Sequence, residues 1–367
     1  MRNRQFDILL LIAMVIVIFG HLGTVPGTFL LHRALPTYAY HMALFIFISG
    51  YFFKDLASSQ ELPAFMWKKT KRLLLPVLGW NVVYAGIAML MHHYQVTDYF
   101  PIEGSYFTLQ YLLTIPLSTF DQFTLNVASW FVVCLFMTQV VYACISVAKK
   151  KVPDWLVMIL LIILGVFGVH YATPHCQGIW DNSLYRTLFT LPFFHLGYCY
   201  RKYEAYIDRI PSSIYFAVCI LGIFLFYHYG CNMQTYSYVL LYTDFGGSCW
   251  KPFVSSLLGI MLWTRIARIV AQYTLNNKLE SYAARNTLSI MIHHLFVMFL
   301  MNWIAVRYLT PCDEGLFRTT FYSTQPCYSY WTYVLMMFFV PLGIKYVQDF
   351  CVEKGKILID KCKKLHK

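Results

Sequence analysis

Residues 8–25 read ILLLIAMVIVIFGHLGTV, an uncharged run with a single histidine, His21, near its far end. With Pro26 it approaches the roughly 20 apolar residues that a bilayer core of about 30 Å demands of a helix. Arg2 and Arg4 precede it, as basic residues precede a cleaved leader. No convincing small-residue cleavage site follows, so it reads as a retained first helix. Working outward, similar runs lie at 37–53, 73–93, 128–147, 155–171, 186–200, 212–230, 251–270, 286–306 and 329–347. A chain of 367 residues with 59% hydrophobic and 13% charged content, organised in this way, predicts an all-α polytopic membrane bundle of about ten transmembrane helices. The second and sixth runs are short enough to lie obliquely or partly buried in protein. Residues 1–350 read as one transmembrane domain and 351–367 as a basic cytoplasmic tail.

Charge orients the bundle. With a cytoplasmic N-terminus, 24 of the 29 Lys and Arg residues fall on the inner side, and only Arg33, Arg186, Lys251, Arg307 and Arg318 fall outside. That asymmetry places both termini in the cytoplasm. The outer segments carry Asp98, Glu103, Asp121, Asp181, Asp244, Asp313 and Glu314, so the +12 net charge belongs to the inner face. It reads as an orientation signal and lipid-headgroup contact, and nothing in it calls for nucleic acid.

Six of the eleven cysteines sit in spans or the tail as packing residues. Of the rest, Cys231 with Cys249 and Cys312 with Cys327 each share an outer loop and are candidate disulfides in an oxidising compartment; Cys176 is left over. There is no CxxC, no metal-spaced His/Cys set and no phosphate-binding glycine loop, so no metal site is expected. The segment 94–127 lacks Lys and Arg, and its TLQYLLTIPLSTF portion is too apolar for a solvated loop. A re-entrant or interfacial helix over the outer mouth is expected there. Trp180, Asn182, Tyr236, Tyr238 and Tyr242 in other outer loops suit either a sugar or an interfacial aromatic belt.

Ionisable groups inside a bilayer are costly and are the first candidates for function. Asp7 and His21 lie 14 residues apart, about 40° around the helix axis and roughly 21 Å along it, so one face joins the inner entrance to an outer-leaflet imidazole. His41, near the start of the second run, comes to a similar depth if the first two helices are antiparallel neighbours. A neutral imidazole there can take a proton from a hydroxyl and return it to a leaving group, the work of a general base in acyl transfer. The alternative for each is a packing histidine bonded to a carbonyl. His32, His92, His93, His170, His175 and His228 fall at outer helix ends as interfacial residues, and His195 reads as structural. Of the mid-span pair His293 and His294, at least one faces the interior, and His293 is taken as a candidate at the acceptor or oxyanion position.

RQFDILLLIAMVIVIFGH, YHMALFIFISGYFF, KKTKRLLLPVLGW, SWFVVCLF, TLFTLPFFHLGYCYRKY and RNTLSIMIHHLF together resemble the acyltransferase 3 family, in the family's order and over most of the chain. The style is closest to its fucose 4-O-acetylase-like branch. The resemblance implies a ten-helix membrane enzyme moving acyl groups, usually acetyl, from cytoplasmic acyl-CoA to extracytoplasmic glycans. It maps the catalytic histidine onto His21, an early basic and acidic pair onto Arg4 and Asp7, the second-helix motif onto His41, Ser49 and Gly50, and the basic residues before the third span onto Lys71 and Arg72. The family usually places Arg or Lys eleven residues before that histidine, where this chain has Leu10; its HMP is HMA here, with Ala43. Either Arg4 or Arg72 supplies the missing charge, or the chain is a divergent or inactive member.

On this reading acetyl-CoA or another acyl-CoA is a co-substrate, with no permanently bound cofactor. Arg4, Asp7, Lys68, Lys69, Lys71 and Arg72 serve the donor side. His21 acts as base or transient acyl carrier, with His41 beside it. Arg186, Trp130 and His293 stand on the acceptor or oxyanion side, Arg186 alternatively as a snorkelling anchor. The partners are acyl-CoA, a surface glycan or lipid-linked sugar and membrane lipid, and the place is a cell membrane, that of a bacterium being favoured. A glycan flippase is the rival reading, against which stands the lack of any repeat between halves.

Overall fold

The computed structural model describes residues 3–22, 30–94, 110–118, 124–175, 180–305 and 329–365. Helices occur at each of the ten expected runs: α1 Arg4–His21, α2 His41–Tyr51, α3 Leu75–His93, α4 Trp130–Ala148, α5 Asp154–His175, α6 Asp181–Ile207, α7 Ser212–Leu225, α8 Lys251–Tyr273, α9 Thr287–Ile304 and α10 Tyr330–Leu365. Among the described residues there is no strand, and eight helical stretches are long and apolar enough to cross a membrane. The two expected runs outside that set are α2 and α6. Eleven residues at 1.5 Å each make α2 only about 16 Å long, half a bilayer core. By contrast α6 has 27 residues, but Asp181, Arg186, Thr187, Thr190 and His195 lower its apolarity.

Protein, rather than lipid, covers both. α6 packs against α2, α4 and α5. Where α2 crosses α6 two glycines face each other: a Cβ on Gly50 would lie 1.9 Å from the Phe194 carbonyl oxygen, and one on Gly197 would lie 2.0 Å from that of Phe47. Only residues without side chains allow backbones this close. Pro192 inside α6 meets Gly165 of α5, and the Thr190 hydroxyl pairs with Thr138 of α4 at 2.7 Å, so polar atoms find partners inside the bundle.

α1 runs through the interior, packed on α2, α8, α9 and α10. Three arginines expected on the inner side close helix ends. Arg4 donates to the carbonyls of Ala271 (2.8 Å), Thr274 and Leu275 (2.8 Å) at the end of α8, and pairs with Glu280 at 3.0 Å. Arg201 reaches the carbonyls of Tyr51 and Phe53 behind α2. Arg265, buried, donates to those of Ile207 and Ile210 behind α6. Each supplies donors and positive charge where a helix exposes unpaired carbonyls and the negative end of its dipole.

Further expectations are corrected or refined. The Cys231–Cys249 disulfide is absent: both thiols are free, Cys231 is buried, and Cys249 lies 3.7 Å from His170 Nδ1. The apolar portion of 94–127 is helical at 110–118, while 95–109 and 119–123 lie outside the described residues, as do Cys176 and the loop carrying Cys312 and Cys327. The stretch read as the basic tail is helical, continuing α10 to Leu365.

Candidate active site

His21 closes α1, and the turn after it is tied back by Leu22 N–H donating to the Ile18 carbonyl at 3.1 Å. Gly20 lets the phenol ring of Tyr38 pack against the same turn, and its hydroxyl donates to the Gly20 carbonyl at 3.4 Å. Tyr38 in turn meets the His41 ring edge-on at 5.1 Å. Ring nitrogen Nδ1 of His41 lies 2.7 Å from the Thr37 carbonyl, so it carries the hydrogen, and Nε2 is left as an acceptor. Tyr38 thus links the Gly20–His21 turn to His41. A third imidazole arrives from α9: the His294 ring centroid is 5.1 Å from that of His21. His21 and His41 are partly accessible, whereas His294 is fully buried.

The other member of the α9 pair points elsewhere. His293 Nδ1 lies 2.7 Å from the Tyr84 hydroxyl, and its ring sits edge-on to Trp80 at 4.2 Å. α9 thus brings His294 to His21, while His293 packs on α3. Arg186 is not a snorkelling anchor either. It is 1% exposed, donates to the carbonyls of Leu240 (3.1 Å) and Leu241, and lies over the Trp130 ring at 5.4 Å. It pins the outer segment 231–250 onto α4 and α6, out of contact with solvent. In that segment Tyr236 donates to the Phe245 carbonyl at 2.8 Å and Tyr238 pairs with Ser256 at 2.9 Å. Burial pushes the Tyr236 phenol above its usual value, so it stays a donor. Trp180 and Tyr242 alone of the five singled-out outer residues are strongly exposed, at 61% and 70%.

At the N-terminal end of α1, Asp7 is buried. Arg4 is fully engaged as a helix clamp. Lys68, Lys71 and Arg72 are exposed and have no hydrogen bond or ion pair among the described residues, Lys71 lying over the Trp67 ring at 5.5 Å. Lys71 and Arg72 sit on a single π-helical turn, Thr70–Leu74, a local unwinding frequent at functional positions. Lys69, half-buried and lying over the Phe65 ring at 5.2 Å, is likewise without a hydrogen bond or ion pair among the described residues, so four of the proposed donor-side cations remain available.

The acyltransferase 3 family model, described as an acyltransferase domain, matches residues 3–347. The chain belongs to the acyltransferase 3 family. Neither the curated proteins nor the solved structures yield a match. Membership makes this chain a multi-pass membrane protein with acyltransferase activity.

In this acyltransferase 3 member, sequence reasoning missed an inner polar cluster: Asn3 donates to the Tyr51 hydroxyl (2.6 Å) and Glu204 (3.1 Å), and Tyr51 donates to Glu204 (2.7 Å). The signal was a carboxylate in RKYE beside a tyrosine in SGYFF, two elements that only tertiary packing joins. One set of possible metal ligands lies within mutual reach among the described residues, Asp154, His195 and Cys199. Its atoms are already used. His195 engages the Tyr142 hydroxyl (2.7 Å) and the Asp154 carbonyl (3.0 Å) through its two ring nitrogens, and the Asp154 carboxylate faces Lys202 (2.7 Å) and Lys149 (3.9 Å). The acyltransferase uses this set to lock α4, α5 and α6 together, the structural role read for His195.

Proposed function

We propose that the chain moves an acyl group, acetyl first among candidates, from cytoplasmic acyl-CoA to a hydroxyl of an extracytoplasmic or cell-surface glycan. The bacterial cytoplasmic membrane is the proposed place and the fucose 4-O-acetylase-like branch the proposed relation. The supporting observation is the pair of imidazoles His21 and His294, ring centroids 5.1 Å apart with His21 partly accessible, beside which the exposed and unpaired Lys68, Lys71 and Arg72 are read by the charge asymmetry as lying on the cytoplasmic side. Those cations suit the phosphates of CoA. His21 takes the proton of the attacking hydroxyl as its oxygen bonds to the acyl carbon; the carbon–sulfur bond breaks, and the thiolate receives that proton from His21. Arg186 and Trp130 shape the outer wall.

The test is mass spectrometry of surface glycans from cells with the gene, without it, and with His21→Ala at matched protein level. Loss of one acyl mass in both altered strains is expected, and a general base contributes about 10² to 10⁴ in rate. Unchanged acylation with His21→Ala removes His21 from the reaction. Loss of the glycan itself from the surface, without any deacylated form, supports the flippase.

A further inference from the structure

His294 belongs to no role derived so far, yet it is the buried group nearest to His21 in kind and position. Its Nδ1 lies 2.8 Å from the Ile290 carbonyl and 3.0 Å from that of Met291, one turn earlier on its own helix. Carbonyls only accept, so Nδ1 carries the hydrogen and Nε2 holds a lone pair. Nε2 is buried without a hydrogen-bond partner, a costly arrangement that native interiors avoid unless something occupies it during function. The ring tilts 50° to that of His21, 5.1 Å away.

We propose that His294 is a positioning residue for His21: its Nε2 accepts a hydrogen bond from one His21 nitrogen and leaves the other as the lone pair that faces the acceptor hydroxyl. The inference rests on His21 being the base of the proposed function. A base imidazole has two tautomers and only one is productive; a carboxylate commonly makes the choice, and a neutral imidazole of fixed tautomer can make it here. The proton balance is closed. The hydroxyl proton goes to the outward-facing nitrogen of His21 and then to the departing thiolate, while His294 keeps its Nδ1 hydrogen and gains none. During the step the imidazolium of His21 holds its second N–H on His294 Nε2, a bond that tightens as charge develops. No close His21–His294 hydrogen bond exists in the resting arrangement, consistent with catalytic bonds that shorten only with substrate in place.

The experiment uses inside-out membrane vesicles containing the full chain and loaded in their lumen with the glycan fraction of the same cells as acceptor, with radiolabelled acetyl-CoA supplied outside. His294→Leu removes the acceptor atom; His294→Gln keeps one in its amide oxygen. The expected result is a fall in kcat of about 10²-fold for His294→Leu with the KM for acetyl-CoA within twofold, and at least tenfold recovery in His294→Gln. Detergent gel filtration establishes that each variant is folded; should the leucine variant fail it, His294→Asn, with its shorter acceptor, takes its place. Activity of the leucine or asparagine variant within threefold of wild type overturns the inference. So does an equal loss in the glutamine variant, or a loss confined to KM. If wild type transfers no label, the proposed function falls and the inference with it; if wild type transfers and His21→Ala does not, a normal His294→Leu removes His294 alone.

Discussion

Leu10 stands about 20° from His21 around α1, where the family resemblance leads one to expect a cation, and it packs partly buried against the core. A long cation there would reach along the helix toward the donor; if the chain is active on acyl-CoA, another residue supplies that charge. Arg4 is already bonded to the end of α8 and to Glu280. The unpaired Lys71 and Arg72 on the π turn remain. Replacing both by Ala is expected to raise the KM for acetyl-CoA about tenfold or more, since a hydrogen bond to a charged group contributes about 1.5–3 kcal/mol. Leu10→Arg in that background should recover part of it, and steady-state kinetics reads both. An unchanged KM in the double variant would place the phosphates elsewhere. His21 and His41 were legible because a polar ring in an apolar run has few reasons to be there. The choice between His293 and His294 was not, because neighbours on a helix differ by about 100° and only the packing of α9 on α1 selects one. The unformed Cys231–Cys249 bridge has the same origin: sharing a loop does not by itself set the geometry a disulfide requires.

Apolar length located the elements well, because a lipid-facing helix must be long and nearly free of charge. It said less about α2 and α6, whose environment is other helices. There the decisive marks were single glycines, which hydropathy barely registers. Gly50→Ala or Gly197→Ala places a methyl group about where a backbone oxygen sits, so α2 and α6 must separate. Such overpacking costs about 1–3 kcal/mol or more and should lower the thermal midpoint by roughly 3–10 °C in detergent. Gly343→Ala on α10 meets nothing within 4 Å and is expected to leave the midpoint at or above wild type. Equal midpoints for all three variants would deny the close crossing. The knot of Asp154, His195, Lys149 and Lys202 is a second mark of this kind, with the Lys202 ammonium held above its usual pKa by its hydrogen bond to Asp154.

For the molecule as a unit, the distribution of Lys and Arg argues that residues 149–151 face the cytoplasm and the segment 231–250 faces out. With native cysteines removed, Lys151→Cys should react with a membrane-impermeant maleimide only in opened cells, and Tyr242→Cys in intact ones. Reaction of both from one side would sink the arrangement. The all-helical bundle was legible from composition and run length, whereas its interior cluster depended on contacts between α1, α2 and α9, far apart in the chain. The arginine clamps give that charge asymmetry a second meaning. On that orientation Arg4, Arg201 and Arg265 belong to the charge set that would direct insertion, and the same guanidinium groups hold helix ends shut in the finished fold. Insertion reads only the sign of the charge, while the clamp needs the planar fork. Biogenesis and closure are therefore separable: lysine at these positions preserves the address of each loop and loosens the finished fold.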